Sequence, residues 1–299
     1  MMKKQLLCLA VMAALSHPAH AVIDGSEDPN TSSSPFAGVG ALLFNGGTYS
    51  GVLIGGQYVL TAAHVASGIA SNPGGASFRL NSGAPSFYGI DQVFVYDGFT
   101  GTTAGHDGVW HDDLAIIRLA QPVSNAPFYD LYDGSLYKSG LLGGSGATLS
   151  FVGYGASGDG TNGVTRGADS GVKRKGRNVV DKIYADDDGG GFPDVFQYTF
   201  DKNGLSDEAH LAGGDSGAPA FFNDNGTWKI AGILTFVGAP QGHELDTYGA
   251  FGGGTIVAPY IDWINSVMYP VPEAETWAMM LAGLGLVGFM GRRRRQRAV

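Results

Sequence analysis

The sequence predicts an all-β fold, and three observations support that prediction. Short apolar runs rich in β-branched and aromatic residues recur along the chain, with glycine-rich breaks between them. The 49 glycines of the 299-residue chain are scattered among these runs, which favours tight turns. Some runs alternate with a period of two: in the run 114–119, Leu114, Ile116 and Arg118 point to one side and the intervening residues to the other. A β-barrel or a β-sandwich fits this pattern.

Strands are predicted for most of the apolar runs, and a helix for one segment near the end of the fold. The predicted strands include, in chain order, AGVGALLF, GVLIGGQYVLTAAHV, DQVFVY, DDLAIIRL, ATLSFVGYG, DVFQYTF and WKIAGILTF. The helix is predicted over 259–268, because Pro259 starts it and Ile261, Ile264 and Val267 recur at helical spacing.

A long, polar, glycine-rich loop is predicted over 156–177. It carries Lys173, Arg174, Lys175 and Arg177, a basic run on an otherwise acidic chain. Such a run could dock a polyanion, but it is more often a solvated loop that extracellular proteases can reach. We therefore predict a solvated loop here.

The segment 1–21 has the features of a secretory signal peptide. Lys3 and Lys4 precede an apolar run, and the tripeptide AHA that ends at Ala21 has the small-x-small pattern of a signal-peptidase site. Cys8, the only cysteine, lies early in the apolar run, so the chain after cleavage contains no cysteine. We expect signal peptidase to remove this segment, which leaves a fold held together by core burial without disulfides.

The segment 269–299 ends in VPEAETWAMMLAGLGLVGFMGRRRRQRAV, which combines a Pro-Glu pair, a short apolar stretch and an arginine cluster. The stretch from Trp277 to Met290 is shorter than the roughly 20 residues of a comfortable membrane span, and the arginines would stay in the cytoplasm. The segment resembles the PEP-CTERM sorting signal of Gram-negative bacteria, with Ala274 in place of the second proline. The resemblance implies transient inner-membrane association, removal by an exosortase, and a location in the periplasm, at the cell surface or in the extracellular matrix. A permanent weak anchor is the alternative.

The charge of the chain limits its partners. The formal net charge is −9 at pH 7, and the two ends contain seven of the 18 lysines and arginines, so the remaining chain is more acidic still. Such a surface argues against nucleic acid as a partner and favours solubility outside the cell. About 250 residues remain between the ends, enough for one large all-β domain or two small ones.

Three motifs supply histidine, aspartate and serine in a fixed order. TAAHV contains His64, HDDLAIIRL contains Asp113, and GGDSGAP contains Ser216. A lone histidine among small residues is more often a packed core residue, but this order is one of the convergent solutions of serine hydrolases. The three residues are far apart along the chain, so they can meet only through the fold.

The motifs and their surroundings resemble the chymotrypsin-like (trypsin-like) serine peptidases over the whole of 22–268. PFAGVGALLFNGGTYSGVLIGGQYVLTAAHV is similar to the first barrel strands of that family, SFVGYG to the strand between its barrels, GILTFVG to its pocket wall and PYIDWI to its closing helix. The resemblance implies two antiparallel six-stranded β-barrels with a C-terminal helix and the site between them. It also implies a monomeric serine endopeptidase that acts on polypeptides without a cofactor.

The resemblance assigns roles that the chemistry explains. The Ser216 hydroxyl needs a base, and neutral His64 can take its proton near pH 7. Asp113 would hold the imidazole tautomer, whereas Asp112 is expected to be a solvated neighbour. The backbone N–H groups of Gly214 and Ser216 would form the oxyanion hole.

A second predicted pair concerns activation. In the family, the residue equivalent to Asp215 turns inward and pairs with the ammonium of the mature N-terminus. Cleavage after Ala21 exposes Val22, so signal peptidase itself would produce the activating terminus. Three positions depart from the family pattern: Asp24 and Ala218 stand where it has glycine, and Val65 where it has cysteine.

The alignment of this chain with the family's motifs also predicts the specificity pocket. His210 stands where trypsins have the aspartate that selects basic side chains, and Thr235, Phe236 and Val237 form the pocket wall. A valine in that wall should narrow the pocket. We predict little cleavage after Arg or Lys and a preference for small or medium apolar residues, with acidic selection by His210 as the alternative.

No metal site is predicted. The segment ADDDGGGFPD, over 185–194, clusters carboxylates that could hold calcium, but it lacks EF-hand spacing and an acidic surface loop is favoured. His106, His111 and His243 show no convincing ligand spacing.

Two other classes of function fit these motifs less well than a peptidase does. A catalytically silent domain that binds a surface or matrix would usually lack a triad residue or an oxyanion glycine, and this chain lacks none of them. An esterase of the α/β-hydrolase type has another residue order and a G-x-S-x-G motif, which GDSGAP does not match.

Overall fold

The computed structural model describes residues 20–82, 84–101, 109–136, 146–186 and 192–270, together with 279, 282 and 284. The predicted secretory signal up to residue 19 with Cys8, nearly all of the predicted sorting signal, and His106 lie outside the described residues. Within the described part of the chain, no helix is long and apolar enough to cross a membrane.

β-Strands are the main regular secondary structure of the described residues. The strands are β1 (His20–Ala21), β2 (Ser26–Glu27), β3 (Val39–Phe44), β4 (Gly47–Leu53), β5 (Tyr58–Thr61), β6 (Ala76–Ser82), β7 (Ala84–Val95), β8 (Ala115–Leu119), β9 (Thr148–Gly153), β10 (Ser157–Asp159), β11 (Gly163–Arg166), β12 (Arg174–Val179), β13 (Lys182–Ala185), β14 (Pro193–Thr199), β15 (Pro219–Asp224), β16 (Thr227–Gly238) and β17 (Phe251–Ile256). The α-helices are α1 (Ala63–Ala70) and α2 (Ile261–Met268), and a 3₁₀ turn over 258–260 leads into α2.

The first half of the fold is a closed antiparallel barrel. Its strands run in the order β3, β4, β5, β8, β7 and β6, with Val52 of β4 opposite Val39 on one side and Leu60 on the other. A register shift between Ile90 and Gln92 bends β7, as barrel closure requires. Closure leaves no free sheet edge in this barrel, and four of the five residues of β8 are buried.

The second half is an eight-stranded antiparallel sheet in the order β13, β14, β17, β16, β15, β9, β12 and β2. Its six central strands curl so that β12 approaches β14. Asn178 Nδ2 donates to the Thr199 carbonyl at 3.0 Å, and the Asp181 backbone N–H donates to the Gln197 carbonyl at 2.9 Å. A small separate sheet contains β1, β10 and β11. The predicted all-β fold with a C-terminal helix is confirmed.

One hydrophobic cluster joins the two halves. It contains Leu60 and Ile116 from the first barrel, Val152 and Ile233 from the second sheet, and Ile264 from α2. Burying one such side chain contributes about 1.5–3 kcal/mol. Extensive burial of this kind is consistent with a fold that needs no disulfide.

Helix α1 was not predicted, and the apolar run that was predicted as strand ended at Val65, inside this helix. Its sequence AHVASGIA is rich in alanine, the best helix former, and Ala63 and Ala66 pack on Ala115 of β8. Small side chains on both sides allow this close contact. The strand prediction relied on the apolar run and missed the change from extended to helical backbone at Ala62.

The basic segment also differs from the prediction, because it is not a solvated loop. Lys173 and Arg174, at the start of β12, are only 1% and 3% exposed. Lys173 Nζ lies 3.0 Å from Asp28 Oδ1 and donates to the Phe36 carbonyl at 2.7 Å. A buried ammonium needs such partners. Lys173 and Arg174 therefore attach the N-terminal segment to the second sheet.

Candidate active site

His64 and Asp113 meet at the edge of the first barrel. His64 is the second residue of α1, and Asp113 lies two residues before β8. His64 Nδ1 lies 2.7 Å from Asp113 Oδ2, and the His64 backbone N–H donates to Asp113 Oδ1 at 2.8 Å. The first N–H groups of a helix have no partner within the helix, and α1 has no side-chain N-cap. The Asp113 carboxylate thus fixes both the start of α1 and the imidazole.

Asp112 and Asp113 point to different partners. Asp113 is fully buried against His64, whereas Asp112 Oδ1 accepts a hydrogen bond of 2.7 Å from the Tyr260 hydroxyl. Asp112 has a φ of +58°, a left-handed conformation that aspartate tolerates better than most residues. The expectation of a solvated Asp112 was wrong, since only 6% of the residue is exposed. Asp112 belongs to a buried network beside the His64 pair.

Ser216 lies in a loop that the first barrel holds from one side. The Ser50 backbone N–H donates to the Ser216 carbonyl at 3.0 Å, and Ser50 Oγ donates to the Gly214 carbonyl at 3.1 Å. On the other side, the Gly217 N–H donates to the Leu234 carbonyl at 2.9 Å. Both halves of the fold therefore position the half-buried serine.

Two glycines of this loop are required by the backbone. Gly214 and Gly217 have φ values of +100° and +82°, where side chains with a Cβ are strained. A Cβ on Gly217 would lie 2.0 Å from Thr61 Oγ1 and 2.3 Å from the Ser50 carbonyl oxygen. The glycines thus let the serine loop pass directly against strand β4 of the first barrel.

Asp215 is turned into the protein. Its carboxylate is fully buried and accepts hydrogen bonds from the Gly155 and Ala212 backbone N–H groups at 2.9 and 3.0 Å. Burial raises the pKa of Asp215 to about 7, although these bonds and the charge of Arg174 act in the opposite direction. The ionised carboxylate is therefore poorly compensated while the chain before Val22 is intact.

The segment that starts at Val22 packs close to this loop. Val22 is fully buried in a cluster that includes Ala218, and its φ of +54° is an outlier for a β-branched residue. The next residue, Ile23, forms backbone hydrogen bonds to His210 at 2.8 and 3.1 Å. Cleavage before Val22 would remove the peptide bond that defines this strained angle.

Asp24 stands where the family pattern has glycine, and the backbone conformation at this position is accessible to both residues. Its φ is +59°, which glycine adopts freely and aspartate tolerates. Its Oδ2 accepts hydrogen bonds from the Tyr248 hydroxyl at 2.7 Å and the Gly160 N–H at 3.2 Å. Asp24 thereby links the N-terminal segment to two loops of the second half.

A groove of about 490 Å³ opens beside His64. Its lining comprises His64, Val109, Trp110, Thr235, Phe236, Val237, Gly238 and Phe251. The three predicted wall residues therefore line the same groove as His64, the predicted general base. Trp110, 5.3 Å from the His64 ring between centroids, was missed. Only its position just before the HDD motif could have indicated it.

His210, which was predicted to bind substrate, is not among the residues that line this groove. The residue is fully buried. Its Nδ1 lies 3.2 Å from the Tyr198 hydroxyl, its Nε2 lies 2.9 Å from the Leu245 carbonyl oxygen, and its ring stacks on Phe200 at 5.2 Å. Burial lowers the pKa of His210 to about 4. A neutral ring with both nitrogens occupied supports the loop and does not select an acidic side chain.

His111 and Asp194 form a buried contact that the sequence did not indicate. His111 Nδ1 lies 2.9 Å from each carboxylate oxygen of Asp194. Burial raises the pKa of Asp194 to about 6. Asp194, the last residue of the predicted acidic surface loop 185–194, is therefore not on the surface, since it is only 1% exposed, and residues 187–191 of that loop lie outside the described residues.

Comparison with protein families agrees with this fold. A family model described as Trypsin matches residues 22–264, so the chain belongs to the trypsin family. A second model, described as PEP-CTERM protein-sorting motif, matches residues 270–295. The protein thus combines a trypsin-like peptidase domain with a PEP-CTERM signal, which implies export, processing by an exosortase, and a cell-surface or extracellular location.

Proposed function

We propose that this protein is an exported serine endopeptidase with His64, Asp113 and Ser216 as its catalytic triad. The observation that carries the proposal is the His64–Asp113 pair, with contacts of 2.7 and 2.8 Å, at the side of an open groove. The hydrogen bonds from Ser50 bring the Ser216 loop to the same barrel. Polypeptides are the substrate class that this family and groove suit.

In the proposed reaction, Ser216 Oγ attacks the carbonyl carbon of the scissile peptide while His64 Nε2 takes the hydroxyl proton. The resulting oxyanion would be stabilised by the backbone N–H groups of Gly214 and Ser216. His64 then gives its proton to the leaving amine, and the C–N bond breaks to leave an acyl-enzyme. A water molecule, deprotonated by His64, attacks the ester and releases the acid product and Ser216.

Activation is proposed to depend on the ammonium of Val22. Signal peptidase would cut after Ala21, and the new charge would compensate the buried Asp215 carboxylate, which lies directly between Gly214 and Ser216 in sequence. The packing of Val22 in the cluster with Ala218 supports a position near this loop. Pairing would thereby help to fix the two oxyanion donors.

The groove predicts which residues precede the peptide bonds that are cleaved. No lining residue in the described part of the chain is acidic, and Phe236, Val237 and Phe251 make its wall largely apolar. We expect a peptide library to be cut after small or medium apolar residues, with little cleavage after Arg or Lys, because a cation would find no carboxylate there. Mass spectrometry of the products measures this preference.

The same library supplies the test of the proposed function. The Ser216→Ala variant should leave the peptides intact, since it keeps the fold but lacks the nucleophile. Equal cleavage by the variant would refute the serine mechanism. Strong cleavage after Arg or Lys by the wild-type protein alone would refute the specificity but leave the mechanism standing.

The final location is also part of the proposal. The sorting motif implies delivery to the outside of the inner membrane, and we propose that exosortase removal releases the domain to the cell surface or matrix. We also propose that the domain works there as a monomer.

A further inference from the structure

His111, Asp186 and Asp194 come together beside the proposed catalytic centre. One ligand atom from each of the three side chains lies within 4.8 Å of the other two. His111 and Asp194 are buried, and Asp186 is half-buried. Asp186 directly follows β13 and Asp194 is the second residue of β14, and the Asp186 N–H donates to the Phe192 carbonyl at 2.8 Å. Two chain segments that are distant in sequence, the one with His111 and the β13–β14 hairpin, therefore converge with metal-binding side chains.

The spacing suits a single cation. Zinc bonds to imidazole nitrogen and carboxylate oxygen are about 2.0–2.2 Å long, which at tetrahedral angles places neighbouring ligand atoms about 3.3–3.6 Å apart. His111 Nδ1 lies at a hydrogen-bond distance of 2.9 Å from each Asp194 oxygen, so the two side chains need to separate by only about 0.5 Å to hold the ion. The Asp186 oxygen, within 4.8 Å, needs only a small side-chain movement to join them.

Carboxylates are crowded at this cluster. Asp186 and Asp194 belong to it, and Asp112 contacts the same Tyr260 hydroxyl as Asp194. The Tyr260 hydroxyl has one proton but faces two carboxylates, Asp112 at 2.7 Å and Asp194 at 3.4 Å. Buried carboxylates at this density are normally neutralised by cationic side chains or by a metal.

We propose that His111, Asp186 and Asp194 form a binding site for one divalent transition-metal ion, with Zn²⁺ as the expected occupant. The imidazole ligand favours zinc over calcium and magnesium, which prefer an all-oxygen shell. Three protein ligands leave the fourth position of a tetrahedral ion to water. Tyr260 would support the site from the second shell through its contact with Asp194.

A metal ion in this site would hold the segment with Asp113 in position and would not take part in the reaction with substrate. His111 precedes Asp113 by two residues, and Asp194 is the second residue of β14 in the second sheet. A metal held between them would fasten the segment with Asp113 to that sheet. The proposal is independent of peptide hydrolysis, because metal binding is the measured quantity.

The test is equilibrium dialysis of the exported protein, stripped with a chelator, against micromolar Zn²⁺ with metal counted by mass spectrometry. We expect one Zn²⁺ per chain, a higher Tm with Zn²⁺, and weaker binding of Ca²⁺. Asp186→Asn and Asp194→Asn should each weaken Zn²⁺ binding at least about tenfold. Asp186 is half-buried, so its variant decides the question if Asp194→Asn does not fold.

Matched controls separate this site from adventitious binding. His243 and Asp262 are exposed and lie outside the cluster, so His243→Gln and Asp262→Asn should bind Zn²⁺ as the wild type does. Folded wild-type protein without bound Zn²⁺ would overturn the proposal. Unchanged Zn²⁺ binding in Asp186→Asn, or its loss in His243→Gln alone, would overturn it as well.

Discussion

Replacing Asp113 with asparagine is expected to lower kcat for peptide hydrolysis by about 10⁴-fold and to leave the fold intact. The carboxylate bonds both Nδ1 and the backbone N–H of His64. Asparagine has only one carbonyl oxygen, so its NH₂ group must face one of these two donors. If the NH₂ group faces Nδ1, the His64 imidazole takes the tautomer that has its proton on Nε2. Nε2 then cannot accept the Ser216 proton. Steady-state kinetics with a peptide substrate measures the loss.

The adjacent Asp112→Asn variant is the matched control. Its carboxylate is also buried, but it accepts from Tyr260 and not from His64. The loss of kcat should therefore be far smaller than in Asp113→Asn. Equal losses in the two variants would contradict the assignment of Asp113 as the residue that orients the imidazole.

A chain that starts at Val22 is expected to have a kcat/KM at least about 100-fold higher than a chain that starts at Ala21, the loss typical of a misplaced oxyanion donor. One additional residue moves the ammonium away from Asp215, which has a buried carboxylate and lies between the two proposed donor residues in sequence. Asp215→Asn in the chain starting at Val22 should cause a similar loss. Peptide hydrolysis by chains with defined starts measures both effects.

The pH dependence of stability provides a second readout of the same pair. In the unprocessed chain, burial raises the pKa of Asp215 from 3.8 to about 7, so the folded state holds this proton more tightly than the unfolded state. The free energy of unfolding should then decrease as pH rises from about 4 to about 7, by on the order of 4 kcal/mol from this group. Asp215→Asn should remove that decrease.

The chain that starts at Val22 should behave differently in this window. Its ammonium favours the ionised carboxylate, lowers the pKa of Asp215 and reduces the decrease in stability between about pH 4 and pH 7. Denaturant unfolding across the range compares the two chains. Equal activity and equal pH profiles for the two starts would rule out the proposed role of Val22.

Much of the fold could be predicted because its signals are local. Alternating apolar runs predicted the strands, and the spacing of Ile261, Ile264 and Val267 predicted the helix that became α2. The motifs around His64, Asp113 and Ser216 also predicted which loops approach each other, since a shared chemistry requires it. The structure adds that Asp113 bonds the start of α1 as well as the imidazole.

The remaining features depend on packing between distant segments, which a single sequence does not display. The burial of Lys173 depends on Asp28, more than a hundred residues earlier in the chain. His210 could not be placed from its alignment, because its partners are the Tyr198 hydroxyl and the Leu245 carbonyl. The residue type of Lys173 and the alignment of His210 each suggested a more exposed position.

The central claim is an assembled nucleophile at Ser216, and labelling with a fluorophosphonate probe tests it most directly. Ser216 Oγ would displace fluoride from the probe, with His64 taking the proton, so intact mass should show one adduct on the folded wild-type protein. Peptide mapping should place it on Ser216, and both Ser216→Ala and His64→Ala should remain unlabelled. Folded protein that forms no adduct would contradict the account and favour a catalytically silent binding domain. An adduct that persists in both variants would contradict Ser216 as the labelled nucleophile.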